Sequence, residues 1–127
     1  MNKPKTFPFL IVPKASKSEK NRGLEGMESK QVTDGNIRSN PETARKYGAN
    51  SSPRKNAHPT VKPIKLMSYL IMLASREGDV VLDPFVGSGT TCIAAKQLKR
   101  DYIGIDLNRE YVDIAEARLR AVPETLF

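Results

Sequence analysis

The residues that most constrain this chain are Val80-Val81-Leu82 followed by Asp83-Pro84-Phe85-Val86-Gly87-Ser88-Gly89-Thr90-Thr91. A short run that is apolar at every position reads as a strand buried on both faces, and such strands belong to parallel sheets. Gly87 and Gly89 then make a turn whose backbone can come close to a ligand, because no Cβ obstructs it. Thr90 to Lys99 follows, with Thr90, Ile93, Ala94 and Leu98 on one helical face. Tyr102 to Ile105 is a second apolar strand, closed by Asp106. Strand, glycine turn, helix and strand make a βαβ unit with parallel strands and a right-handed crossover.

The flanks extend this α/β reading. Pro63 suits a first helical turn, and Leu66, Met67, Tyr69, Leu70 and Leu73 follow with helical spacing up to Glu77-Gly78-Asp79. Asn108 is placed to cap a last helix, in which Tyr111, Ile114, Ala115, Arg118 and Leu119 keep the 3.6 period and Pro123 is the stop. Tyr69 and Tyr111 read as core, Cys92 as a buried small residue, and Lys99-Arg100 as a solvated helix end. Thr6 to Val12 is a short β-type run that Pro8 confines to a sheet edge. From Lys14 to Ala57 apolar residues are sparse and without period. That stretch cannot offset its own ordering entropy, and reads as a long basic loop or an insert that orders on a partner.

Charge sharpens this division. The net charge of +7 is uneven: residues 1–65 carry a net +9 and residues 66–127 a net −2. A basic half points to a polyanionic partner, or to a solvated polar segment. One Cys and one His exclude a disulfide framework and a metal cluster built on them. No apolar run approaches the roughly 18 residues of a membrane span, and no leader-like segment opens the chain. The simplest compartment is a reducing cytoplasm.

The chemistry of the turn follows from its place. Open α/β sheets bind ligands at the carboxyl ends of their strands. The amides of Ser88, Gly89 and Thr90 open a helix and favour a carboxylate or phosphate. Asp106 lies 23 residues after Asp83, at the end of the next strand, where a carboxylate can accept both ribose hydroxyls of a nucleoside. A dinucleotide fingerprint would need a third glycine where Cys92 stands, and a phosphate loop would need Lys where Thr90 stands. The competing reading is an ordinary tight βα turn with Asp106 as a helix-capping acid.

His58-Pro59-Thr60-Val61-Lys62-Pro63, then a helix, then Asp83 to Thr91, then Gly104-Ile105-Asp106 resembles the carboxyl-terminal part of a DNA amino-methyltransferase. Members of that family methylate N6 of adenine or N4 of cytosine with S-adenosylmethionine, and the motif order resembles their beta arrangement. The resemblance covers about Ala57 to Leu119. It implies a partial Rossmann-like, S-adenosylmethionine-dependent methyltransferase fold over 58–122, preceded by an N-terminal strand segment, 1–16, and a basic loop or short target-recognition insert, 17–57. Residues 123–127 are a tail.

The resemblance also implies roles. Phe85, Gly87, Ser88 and Gly89 line the methionine end of the cofactor, beside Thr90. Asp83 faces its amino group, or is a turn-forming residue before Pro84. Thr60 and Lys62 approach its carboxylate, although Lys62 can equally be a surface lysine. Asp106 holds the ribose. His58 braces the loop. Double-stranded DNA is the implied partner of the basic segment.

One family element has no counterpart among the 127 residues. The Asp/Asn/Ser-Pro-Pro-aromatic loop, which accepts the target amino group and stacks on a flipped base, is not found. Asn40-Pro41-Glu42 and Ser52-Pro53-Arg54 lack the second proline and the aromatic. No catalytic or metal-binding residue is therefore assigned. In the beta arrangement the loop lies upstream, in a missing N-terminal region or a separate chain. A fragment, a split-enzyme subunit and a non-catalytic DNA-binding remnant all fit the sequence. A nucleotide-dependent oxidoreductase fits less well, because of Cys92 and the His58–Pro63 box.

Overall fold

The computed structural model describes residues 12–31 and 53–123. The edge strand expected over Thr6 to Val12, apart from Val12 itself, lies outside the described residues, as do the middle of the basic segment and most of the tail. The elements in chain order are α1 (Lys17–Asn21), β1 (Lys30–Gln31), β2 (Pro53–Arg54), α2 (Ile64–Ala74), β3 (Val80–Asp83), α3 (Thr90–Gln97), β4 (Asp101–Gly104) and α4 (Arg109–Arg120).

β3 and β4 pair in parallel, from Val80 opposite Asp101 to Asp83 opposite Gly104. α3 makes the crossover between them, so the βαβ unit is present. The ladder continues beyond the strands: Ile105 donates to the Asp83 carbonyl at 2.9 Å, and Val86 donates to the Ile105 carbonyl at 2.9 Å. These bonds carry the pairing into the glycine turn and hold its first residues against the end of β4.

α2 lies on α3, and the core is Ile71, Ala94 and Ala95, ringed by Ile64, Met67, Val81 and Leu98. Small residues on α3 let α2 and the sheet approach closely, and α3 is buried from Thr90 to Ala95. Arg100 is not a merely solvated helix end. Its guanidinium donates to the Ser75 carbonyl at 2.9 Å and to the Leu98 carbonyl at 2.6 Å. It thereby ties the end of α2 to the end of α3.

Two further expectations change. β3 is not buried on both faces: Val81 turns toward the helices, whereas Val80 and Leu82 are 59% and 60% exposed. A single helical layer covers this sheet among the described residues, so the alternate side chains meet no partner. Tyr69 is 41% exposed, along with Leu70, Met72 and Leu73 on α2, and is not core. Tyr111 is half-buried, as its place on α4 requires.

The start of the basic segment is built into the fold. Ser16 caps α1 by accepting from the Glu19 amide at 3.1 Å, and Leu24 is fully buried. Asn56 donates to the Lys20 carbonyl at 2.8 Å and accepts from the His58 amide at 3.1 Å. Hydrogen bonds between polar residues therefore do here what an apolar period does elsewhere. β1 and β2 pair antiparallel, Lys30 opposite Arg54, which brings together the two ends of the segment between them.

Candidate functional site

The site begins where β3 ends. Asp83 closes the strand, and its carboxylate has two local donors: the Phe85 amide at 3.0 Å and the Thr91 hydroxyl. The first is the Asx-type turn that a residue before Pro84 makes readily. The second fastens the turn to the opening of α3. Phe85 is thrown outward, 85% exposed, while Val86 through Thr90 are buried.

Glycine is required at two positions for specific reasons of space and backbone angle. Gly87 has φ +51° and its missing Cβ would collide with Nε2 of His58. Gly89 has φ +82°, caps α3, and would place a Cβ 2.8 Å from that of Ala115 on α4. L-residues reach this left-handed region only at a cost, and both sites also lack room. The turn is thus pressed between His58 on one side and α4 on the other.

His58 is held in turn. Its ring meets Tyr111 edge-on, with centroids 4.6 Å apart and planes at 64°. Its Nδ1 accepts from the Thr60 amide at 3.3 Å. Burial pulls the imidazole below its ordinary value of 6.5, with Asp106 opposing and Lys62 and Arg118 adding to the fall. A neutral ring in this position is a packing and hydrogen-bonding group.

Asp106 braces the turn from the neighbouring strand. One carboxylate oxygen accepts from the Gly87 amide at 2.9 Å and the other from the Asn108 amide at 2.8 Å. Asn108 then caps α4, accepting from the Glu110 amide at 3.0 Å. A carboxylate oxygen has more than one acceptor direction, so both oxygens of Asp106 retain capacity for a ligand hydroxyl.

These elements enclose a cleft of about 260 Å³. Thr60, Lys62, Asp83, Phe85, Gly87, Ser88 and Thr90 line it, with His58, Met67, Val86 and Thr91. The His58–Pro63 box and the glycine turn therefore share one wall-to-wall space. Gly89 and Asp106, also singled out from sequence, are not among the lining residues: Gly89 packs on Ala115 of α4, and Asp106 braces the turn through the Gly87 amide. Cys92 is buried beneath it, its thiol pushed up to about 11 by burial and, secondarily, by Asp83. Among the described residues no group of His, Cys, Asp and Glu is placed to hold a metal ion, and no helix is long and apolar enough to cross a membrane.

Sequence reasoning missed Arg118 as part of the site. It is 2% exposed and reaches from α4 to Ser88, donating to the Ser88 carbonyl at 2.6 Å and to Ser88 Oγ at 3.1 Å. The available signal was a charge on the apolar face of α4, four residues after Ile114. A second cleft, of about 270 Å³, shares His58 with the first and is lined by Lys17, Lys20, Asn21, Arg54, Asn56 and Pro59.

The chain is 54% identical over 68 residues to the type II methyltransferase M2.DpnII of Streptococcus pneumoniae, which covers 54% of this chain and 25% of that protein. It is 52% identical over 65 residues to the type II methyltransferase M.HpaI of Haemophilus parainfluenzae, covering 51% and 21% respectively. The crystal structure of the M1.HpyAVI–SAM complex matches with 47% identity and a TM-score of 0.49, over 50% of this chain and 31% of that one. The chain thus spans about a quarter or less of the curated relatives' length. The family model of N6/N4-type DNA methylases matches residues 1–117, and the chain belongs to that DNA methylase family.

Proposed function

We propose that this chain forms the S-adenosylmethionine-binding, carboxyl-terminal portion of a DNA methyltransferase acting on the exocyclic amino group of adenine (N6) or cytosine (N4). The observation that carries this reading is the meeting of the His58–Pro63 box with the Asp83–Thr91 turn across one cleft. The lining suits a nucleoside with a charged amino-acid tail. Asp83 offers a carboxylate toward an ammonium, and Lys62, Thr60, Ser88 and Thr90 offer a cation and hydroxyls toward a carboxylate. Asp106, at the end of β4, is the acceptor for the ribose.

When bound, the cofactor supplies an electrophilic methyl group on a sulfonium. Transfer of that methyl to the base's amino nitrogen would leave the broken bond's electron pair on sulfur and release a proton from the nitrogen. What this chain contributes is binding and orientation, which convert a two-body encounter into a positioned one. The target amino group is accepted by a Pro-Pro-aromatic loop on a complementary segment. The exposed apolar residues Val80, Leu82, Ile103 and Ile105 support such a segment, since a parallel sheet with one bare face is unusual. Double-stranded DNA is assigned to the basic segment 17–57, whose Lys17, Lys20 and Arg54 line the cleft next to the cofactor's.

Calorimetric titration tests the reading. The full chain is expected to bind S-adenosylmethionine with micromolar or weaker affinity and not to bind NAD. By itself it should transfer no methyl group to DNA, and its DNA affinity should fall steeply with salt. Absence of S-adenosylmethionine binding by the folded chain rejects the cofactor reading. Turnover by the pure chain rejects the need for a complementary segment.

A further inference from the structure

Arg118 is the largest of the fully buried side chains. Its Nη1 donates to the Ser88 carbonyl, to Ser88 Oγ and, at 3.4 Å, to Thr90 Oγ1. Its Nη2 donates to the Glu19 carbonyl at 3.4 Å, and its Nε is buried without a partner. Its acceptors among the described residues are carbonyl and hydroxyl oxygens, not carboxylates. A buried cation supported in this way is costly, and it lies directly behind the wall of the cleft.

The consequence concerns the hydroxyl protons. A hydroxyl has one donor and two acceptor directions. Arg118 takes an acceptor direction on Ser88 and another on Thr90, so neither hydroxyl can aim its proton back at the guanidinium. Both residues line the cleft. Thr91 does the reverse: its proton goes to Asp83. Among the lining residues Asp83 therefore offers acceptors, while Ser88 and Thr90 keep their protons free to donate, both bonded to the Arg118 guanidinium.

We propose that Arg118 is a positioning residue that makes the Ser88–Thr90 end of the cleft a carboxylate site, setting which way the cofactor's zwitterionic tail lies. This rests on the cofactor reading above and adds to it a residue outside the lining. The probes are S-adenosylhomocysteine and its decarboxylated analogue S-adenosyl-3-thiopropylamine, which keeps the ammonium and loses only the carboxylate. Binding of each to the full chain is measured by calorimetry. Arg118→Met weakens the first by about tenfold, as loss of charge-assisted hydrogen bonding does, and changes the second by less than about twofold. Arg118→Lys recovers part of the difference. Equal weakening of both ligands means that Arg118 only holds the fold together, and overturns the proposal. Should Arg118→Met fail to fold, Arg118→Gln decides, since it keeps an N–H donor for the Ser88 carbonyl and loses the charge: a selective loss of the carboxylated ligand supports the proposal, and an unchanged ratio overturns it. A wild-type chain that binds neither nucleoside overturns the cofactor reading itself, a result distinct from wild-type binding with a ratio that Arg118 does not alter.

Discussion

Asp106, at the end of β4, accepts a hydrogen bond from the backbone N–H of Gly87, in the turn after β3, at 2.9 Å. Two parallel strands thus share one loop conformation, and the acid proposed to hold the ribose is also the brace of the glycine turn.

Asp106→Ala removes both functions. S-adenosylmethionine affinity should fall about tenfold or more, with a modest drop in Tm from the freed Gly87 and Asn108 amides. Asp106→Asn keeps one carbonyl acceptor and should fall between. Isothermal titration and a melting curve on each variant check this; an Asp106→Ala chain that binds as tightly as the parent contradicts the ribose role.

Gly87→Ala forces an L-residue to φ +51° and drives its Cβ into the His58 ring. We expect a loss of about 2 kcal/mol in unfolding free energy. The double variant with His58→Ala should recover the steric share but not the backbone share. A denaturant-unfolding double-mutant cycle measures both, and a Gly87→Ala chain as stable as the parent contradicts the turn geometry.

The burial-lowered pKa of His58 has a definite sign. The unfolded chain takes up a proton near 6.5, before the folded one does, so the unfolded state binds more protons just below that pH. The stability tied to the neutral ring is complete above 6.5 and is lost as pH falls from 6.5 through the lower folded value. Melting temperatures between about pH 7.5 and 5 should show this loss. In His58→Gln the part of the slope belonging to His58 should vanish, and an unchanged slope assigns it to other groups.

Cys92 should be inert while the chain is folded. Its thiol is buried and held up at about 11, so the reactive thiolate is scarce at about pH 8. Iodoacetamide labelling followed by mass spectrometry should show slow modification of the native chain and rapid modification in denaturant. Equal rates would mean that the native fold does not bury this residue.

The elements around the turn were legible because local signals agreed. Asn108 caps α4 as its side chain suggests, and Pro63 precedes α2. Burial was less legible: an apolar triplet such as Val80-Val81-Leu82 reports what a strand can bury, not what covers it. α1 and Asn56 were invisible to periodicity because side chain-to-backbone hydrogen bonds hold them. The cleft was legible only in its parts. Thr60 and Lys62 reach it from a box about twenty residues before Asp83, while Gly89 and Asp106 act on the turn outside the lining. Arg118 looked like one more member of a helix face, since its reach to Ser88 spans 30 residues of sequence.

The short antiparallel pair at Lys30 and Arg54 has an evolutionary consequence. It sets Gln31 opposite Pro53, the two described residues that bound 32–52. Each doubling of a loop's length adds only about 0.6 kcal/mol of closure entropy, so substitutes of quite different size can be spliced in between them. On the proposed reading of 17–57 as a target-recognition insert, target preference is then free to diversify as a replaceable cassette, while the proposed methyl-donor chamber stays as it is.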